Sequence, residues 1–380
     1  MEPLIFTLVI AFIGVVFLPP LAAKIRVPVI ALELIFGILI GRSLMNAVPD
    51  HAVIDFFSSF GLTYLMFLAG LETDIGRIRW VIVKKVLLIA AFSVFIPFLC
   101  GIALSFWVKM NPYLMGTIMS TTSLGLVLPV LNNIKLSQRL KQVLLVSVVI
   151  VDILSMFILA FVLAIAEGTM EVRYIYSIIA ILVLFVVPFV LNKLKLRRKI
   201  TRKLFKEEYT EMEMRLAFAL IFLLGAISLE LGFHTIIGAY IAGLLIAEML
   251  PRAFLQEEKL QSFGYSFFIP LFFIFTGAKV DLVPVFANVN NLLFMLVIIA
   301  VGIISKTAGV AFAGKLSGLK TRQGLAFGLL HTARLSLILA AADISFELGL
   351  IDNDLFASFV MLALVSATLA PTLGRRILSK

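Results

Sequence analysis

Apolar residues run along this chain in long blocks separated by short polar connections. Taking charges, Pro and Gly as breaks divides it into thirteen blocks: 3–22, 27–45, 52–71, 82–107, 112–132, 138–166, 172–194, 211–231, 234–249, 258–281, 288–314, 320–347 and 353–377. Many of them reach the roughly 20 residues a helix needs to cross the hydrocarbon core. Lipid offers the backbone no hydrogen-bond partner, so such blocks must be helices; a barrel would show short alternating strands instead. The expected fold is therefore all-α, a polytopic membrane protein of about thirteen transmembrane helices.

The connections carry a second pattern. When they are numbered alternately, one set holds 26 of the 32 Lys and Arg residues, including the dense run from Lys193 to Lys206, whereas the other holds only Arg42, Lys109, Arg173 and Lys279. Basic residues mark the cytoplasmic side, which puts the N-terminus outside, the C-terminus inside and the chain in the cell membrane. One missed helix would scramble that alternation downstream, so its persistence supports an odd count. Six blocks precede 172–194 and six follow it. An odd linker helix inserts two six-helix halves with opposite orientation, the inverted-repeat plan of many secondary transporters. The chain is thus expected to form one transporter domain, 1–380, with repeats at 1–166 and 211–380.

Composition agrees with the pattern and removes other classes. Hydrophobic residues make up 62% of the 380 and charged residues 14%, against about a quarter charged in soluble domains. The net charge of +10 lies in the connections, which is an orientation signal and no basic face for nucleic acid. Cys100 stands alone, which excludes a disulfide framework and a Cys-based metal site. The first block opens with Glu2 and is followed by Lys24 and Arg26, so it reads as a span and not as a cleaved leader. No HExxH or nucleophile–base pairing lies inside the membrane, so no enzyme and no cofactor are expected.

Two basic residues, Lys306 and Arg334, remain once those at the connections and block ends are subtracted, with Asp152 in VVIVDILSM, Glu33 in the second block and Asp343 in the twelfth. Buried charges cost several kcal/mol unless paired or wetted, which makes them functional candidates. Each has a plainer reading. Asp152 and Lys306 as a structural salt bridge is one; Glu33 reaching water or a helix partner is another. Arg334 is expected to neutralise helix ends or pair an acid, and Asp343 with Glu347 to lie wet near the outer surface. His51 and His234 are expected in solvated loops, and His331 to act through hydrogen bonds.

Two polar islands interrupt apolar helices: Ser120-Thr121-Thr122-Ser123-Leu124-Gly125, with Pro129 beyond, and Leu330-His331-Thr332-Ala333-Arg334 with Ser336. They sit in the fifth member of each half. Hydroxyls within a helix can simply back-bond to the preceding turn, but paired interruptions point to a transporter site, where half-helix ends hold the ion.

Five segments then resemble one family in order and position: VPVIALELIFGILIG (27–41), GLTYLMFLAGLETD (61–74), STTSLGLVLPVL (120–131), HTIIGAYIAGLLIAE (234–248) and FIPLFFIFTGAKVDL (268–282). The chain is similar to the cation:proton antiporter-2 family, which includes NapA-like Na+/H+ antiporters and Kef-type membrane domains. The resemblance implies a dimerisation panel beside a core with two crossed, broken helices, and a homodimer in membrane lipid. It puts the ion- and proton-binding carboxylate at Asp152, the crossing at Thr121–Thr122 and Thr332–Arg334, and the core lysine at Lys306. Ser123 and Ser336 join the crossing, with Glu33 as further support. Three departures stand out. Val151-Asp152 replaces the two adjacent Asp of electrogenic members, Arg334-Leu335-Ser336 stands where much of the family has Arg-Gly-Glu, and no glycine-rich nucleotide-binding fingerprint follows, so that domain is not expected.

These residues predict a mechanism. Val151 cannot ionise, so Asp152 and Lys306 form the candidate charge pair. An arriving Na+ or K+ (or Li+) takes Asp152 and nearby hydroxyls as oxygen ligands, and Lys306, left without its partner, gives up its proton. One charge arrives and one leaves, so exchange is 1:1 and electroneutral; Asp152 alternating alone between proton and cation gives the same ratio. The rival readings are a cation channel, which needs a continuous polar pore, and an anionic-substrate Na+ symporter of similar crossed-helix fold.

Overall fold

The computed structural model describes residues 2–25, 27–72, 83–108, 110–123, 126–127, 136–166, 179–180, 183, 211–231, 233–249 and 257–379. The expected linker helix 172–194, apart from three isolated positions, the basic run Lys193 to Lys206, Gly125 and Pro129 lie outside them. In chain order the helices are α1 (Glu2–Ile25), α2 (Val29–Ile40), α3 (Ala52–Glu72), α4 (Val83–Val108), α5 (Pro112–Ser120), α6 (Gln138–Ala166), α7 (Met212–Glu230) and α8 (Thr235–Met249). They continue with α9 (Glu257–Phe263), α10 (Ile269–Lys279), α11 (Val283–Ala287), α12 (Val289–Leu316), α13 (Thr321–Thr332), α14 (Ser336–Glu347) and α15 (Asn353–Ser379). Among the described residues, nine spans are long and apolar enough to cross a membrane, and two shorter apolar helices, 29–40 and 235–248, accompany them. The protein is an all-helical, multi-pass membrane protein.

The chain divides into two compact units. The first comprises Met1–Ile54, Arg77–Leu163 and Phe273–Lys380. Within it α4 packs against both α5 and α12, α12 against α13 and α15, and α13 against α15. Large apolar side chains on α1, α4 and α12 stay exposed, among them Phe6, Phe17, Phe95, Phe106, Ile304 and Phe312. Helices apolar on every side suit hydrocarbon, not water. Their buried faces are lined instead by small residues, such as Ser93 and Gly101 on α4 and Gly302, Ser305 and Gly309 on α12, which let backbones approach closely in lipid.

Gly37 on α2 and Gly277 on α10 show that approach best. A β-carbon on Gly37 would overlap the Ile274 carbonyl, and one on Gly277 would overlap the Leu34 carbonyl. Glycine is required there by contact, not by backbone conformation.

The second unit comprises Asp55–Gly76 and Ala164–Phe272. It contains the same kind of contact between α3 and α8, where a β-carbon on Gly70 would overlap the Tyr240 carbonyl and one on Gly243 the Phe67 carbonyl. Its core is aromatic: Phe60, Tyr64, Phe218, Phe263 and Phe268 pack together. Between α9 and α10 the helix widens into one π turn, Gly264–Phe268. The Tyr64 ring lies where a side chain on Gly264 would go, and its hydroxyl donates to Leu260 O at 3.0 Å. The 258–281 block is therefore not one regular helix. Its π turn, and the short α11 after it, carry no signal in the hydrophobic pattern.

Candidate functional site: two broken helices that cross

Both expected interruptions are real breaks. Helix α5 starts on Asn111, whose side chain accepts from Tyr113 N and Leu114 N, with Pro112 at the first turn. It stops after nine residues. Ser120 Oγ donates to Thr117 O at 2.9 Å and Thr121 Oγ1 to Ile118 O at 2.9 Å, so hydroxyls take carbonyls that backbone N–H groups would otherwise hold. Thr121 then turns to extended backbone (φ −59°, ψ 155°). The same device ends α13: Thr332 Oγ1 donates to Leu329 O at 2.7 Å, and Ala333 is extended. Helix α14 resumes at Ser336.

The breaks meet. Ser123 N donates to Ala333 O at 2.9 Å, Thr122 Oγ1 donates to His331 O at 3.1 Å, and the Ser123 and Ser336 hydroxyls lie 3.3 Å apart. Each broken helix thus satisfies part of the other's freed backbone, as non-helical chain at membrane depth requires.

Two fully buried cations finish the arrangement. Arg334 donates through Nη1 to Met119 O at 2.7 Å and through Nη2 to Gly302 O at 2.6 Å. Ser366 on α15 donates to Arg334 O at 3.1 Å. Lys306, from α12, donates to Ser120 O and, at 2.6 Å, to Thr121 O. Both cations therefore sit on the carbonyl end of α5, where the helix dipole concentrates negative charge. Asp152 on α6 is 8% exposed and acts electrostatically on Lys306, as does Arg334. One turn beyond it, Ser155 Oγ reaches Ser120 O at 3.5 Å.

Asp152, Thr121, Thr122, Ser123, Lys306, Thr332, Arg334 and Ser336 are thus gathered within one unit. The Arg334 side-chain hydrogen bonds among the described residues go to backbone carbonyls, Thr332 O, Met119 O and Gly302 O. Glu33 is buried in α2, at 3% exposure, and no hydrogen bond among the described residues joins it to the crossing. The expectation that Asp343 is wet fails. It is 4% exposed and paired with Lys279 at 3.0 Å, and the same ammonium meets the half-exposed Glu347 at 2.8 Å. Lys279 closes α10 instead of lying in a free connection, and a carboxylate so close to a largely buried ammonium need not reach water. Sequence reasoning missed Ser147 and Ser155. With Asp152 and Gln142, they are the only polar residues between Lys141 and Met156, a signal that was there to be read.

Two crossed, interrupted helices with buried charges at the break define a membrane protein of the secondary-transporter kind. The family of sodium/hydrogen exchangers, transmembrane, matches residues 8–380, and the chain belongs to it. YjbQ of Bacillus subtilis is 28% identical over 388 residues, covering 97% of this chain; the chain spans 61% of that relative's length. A Methanocaldococcus jannaschii protein, named as a probable Na+/H+ antiporter, is 28% identical over 98% of this chain and 96% of its own length. The solved sodium proton antiporter MjNhaP1 from the same organism shares the fold, with a TM-score of 0.71 at 19% identity over 98% of this chain and 96% of that one.

Proposed function

We propose that this protein exchanges a monovalent cation, Na+ or K+, for H+ across the cell membrane by alternating access, with Asp152 as the carrier carboxylate. The observation that carries the reading is the position of Lys306: its ammonium fills the carbonyl pair Ser120 O and Thr121 O within electrostatic reach of Asp152. Carbonyl and carboxylate oxygens are the ligands a hard cation takes. Lys306 thus stands where a transported ion would stand, so ion and ammonium compete for one set of oxygens. When the ion binds, with Thr121, Thr122 and Ser123 hydroxyls in reach, Lys306 is displaced and releases its proton. The exchange is 1:1 and electroneutral, because Val151 supplies no second carboxylate. Li+ should compete at the same oxygens.

The finer architecture belongs to the same proposal. Thirteen helices, with the N-terminus outside and the C-terminus cytoplasmic, follow from the charge alternation. Inverted repeats are supported by the two glycine contacts. Placing Gly37 on Gly243 and Gly277 on Gly70 maps Leu34 on Tyr240, Ile38 on Leu244, Ile274 on Phe67 and Ala278 on Leu71, so the α2–α10 contact matches the α3–α8 contact residue by residue. Membership of the cation:proton antiporter-2 branch rests on the five segments, and a homodimer in membrane lipid on that likeness.

The test uses liposomes with an imposed pH gradient and a pH-reporting dye, wild type beside Asp152→Asn. Gradient loss on adding Na+, Li+ or K+ in wild type alone supports the assignment and names the ion. Exchange retained by Asp152→Asn sinks it, and silence toward every cation favours the anion symporter.

A further inference from the structure

The exchange just described leaves a buried imidazole unused. His331, on the last turn of α13, is fully buried and hydrogen-bonded at both ring nitrogens. Nδ1 lies 3.1 Å from Ser93 Oγ on α4, and Nε2 lies 3.0 Å from Ser147 Oγ on α6.

Counting hydrogens assigns the ring proton. Ser147 has one hydroxyl hydrogen, and Leu144 O at 2.9 Å and His331 Nε2 at 3.0 Å compete for it. Given to Nε2, it would force Nδ1–H onto Ser93 and leave the Ser93 hydrogen without an acceptor among the described residues. Given to Leu144 O, it lets every hydrogen of the set be used, so Nε2 carries the proton. A neutral imidazole then presents Nδ1 as an acceptor. Ser93, whose hydroxyl has no other hydrogen bond among the described residues, donates to it. The result is a one-way chain of hydrogen bonds, Ser93 to His331 to Ser147 to the Leu144 carbonyl, crossing three helices.

We infer that His331 is a positioning residue: in its Nε2–H form it pins the Asp152-bearing helix α6 to the second helix break and sets the carboxylate against the carbonyl end of α5. The geometry of α6 shows how. Ser147 and Ser155 bracket Asp152, the first tied to His331 and the second aimed at Ser120 O. The His331 carbonyl accepts from Thr122 Oγ1, so one residue holds both breaks and the carrier helix. A slip of α6 by one residue would move Asp152 by about 1.5 Å along the axis. Cation sites tolerate far less, since their metal–oxygen distances spread over only about 0.3 Å.

This positioning role rests on the exchange reading; the tautomer does not. The full-length protein, labelled with 15N-histidine and placed in lipid bilayers, allows the ring forms to be told apart by solid-state NMR. There are only three histidines, and replacing His51 and His234 by Gln isolates His331. The expected spectrum has Nε2 protonated and Nδ1 bare. An Nδ1–H tautomer or a doubly protonated ring overturns the assignment.

Transport assays test the role. In His331→Gln the amide keeps a donor toward Ser147, and the apparent KM for the cation should stay within about threefold of wild type. His331→Asn keeps only the Ser93 side, and its KM should rise about tenfold, the worth of one buried hydrogen bond, with maximal rate changed less. Equal KM values in the two variants overturn the role. Ser147→Ala keeps the ring in place and should raise KM several-fold; an unchanged KM overturns it too. Wild-type protein inactive toward every cation would sink the exchange reading and leave the tautomer assignment standing.

Discussion

The two helix breaks use the same backbone device yet end very differently. At the end of α5, Met119 O, Ser120 O and Thr121 O accept from Arg334 and Lys306. At the end of α13, Leu330 O, His331 O and Ala333 O accept from Ala333 N, Thr122 Oγ1 and Ser123 N, all neutral donors, and the charged contact there is a long one, Arg334 Nε to Thr332 O at 3.4 Å. Both ends carry the partial negative charge of a helix C-terminus, so the dipole alone does not explain the difference. The α13 end is closed mainly by backbone N–H groups and a short threonine side chain. The α5 end is held in part by an ammonium on a four-carbon stem, an occupant that can leave. Of two similar breaks, then, one has the contacts of a frame, and the other is the seat that the proposed mechanism gives to an exchangeable cation.

Replacing Arg334 by Ala should break the comparison most severely. It orphans the Met119 carbonyl at a cost of about 1–3 kcal/mol and takes a second donor from Gly302 O, which keeps its bond within α12. The yield of monodisperse protein and its thermal midpoint in detergent should fall sharply. Arg334→Lys should recover only part, because an ammonium cannot reproduce the guanidinium fork. A wild-type midpoint in Arg334→Ala would mean that this cation is no part of the frame.

Lys306→Ala empties the seat. Exchange should drop at least about tenfold, the equivalent of about 1.4 kcal/mol of lost stabilisation, while the protein stays folded. The vacated oxygens can then take Na+ unopposed, so added Na+ should raise the thermal midpoint more than in wild type; ligand stabilisation grows as the logarithm of occupancy. An equal Na+ effect in both would show that lysine and ion do not compete. Thr122→Val removes one neutral donor from the α13 end and should cost about 1 kcal/mol, seen as a midpoint shift of a few degrees. It also removes a hydroxyl in reach of the ion, so the apparent KM for the cation should rise several-fold. Ser336→Ala loses only a 3.3 Å contact between hydroxyls and should change neither measurement beyond scatter.

Much of this frame was legible before any coordinates. Charges, Pro and Gly delimit the helices within a few residues; Gln138–Ala166 and Ala52–Glu72 nearly coincide with their blocks. Both breaks announced themselves as hydroxyl-rich islands, because a polar run deep in an apolar helix has few other uses. What the sequence withheld is choice of partner. Nothing near Lys306 in the chain indicates that its ammonium settles on carbonyls 185 and 186 positions away. Asp343 was misread for the same reason, since its burial depends on where the end of α10 lands beside α14. The π turn at Gly264 is decided by a ring on another helix, which no local pattern reports.

The glycine contacts set a timetable for biosynthesis. Gly37 meets a helix whose Gly277 is translated about 240 positions later, and Gly70 waits for Gly243. At about 5–20 residues per second, the first helices spend on the order of ten seconds or more in the bilayer before their partners emerge. During that interval their bare glycine faces are open to any other small-residue helix. Quality control in the membrane must therefore guard these faces, and a stall before residue 240 would leave Gly37 and Gly70 without the helices they are shaped to meet, although α4 and α5 could already pair.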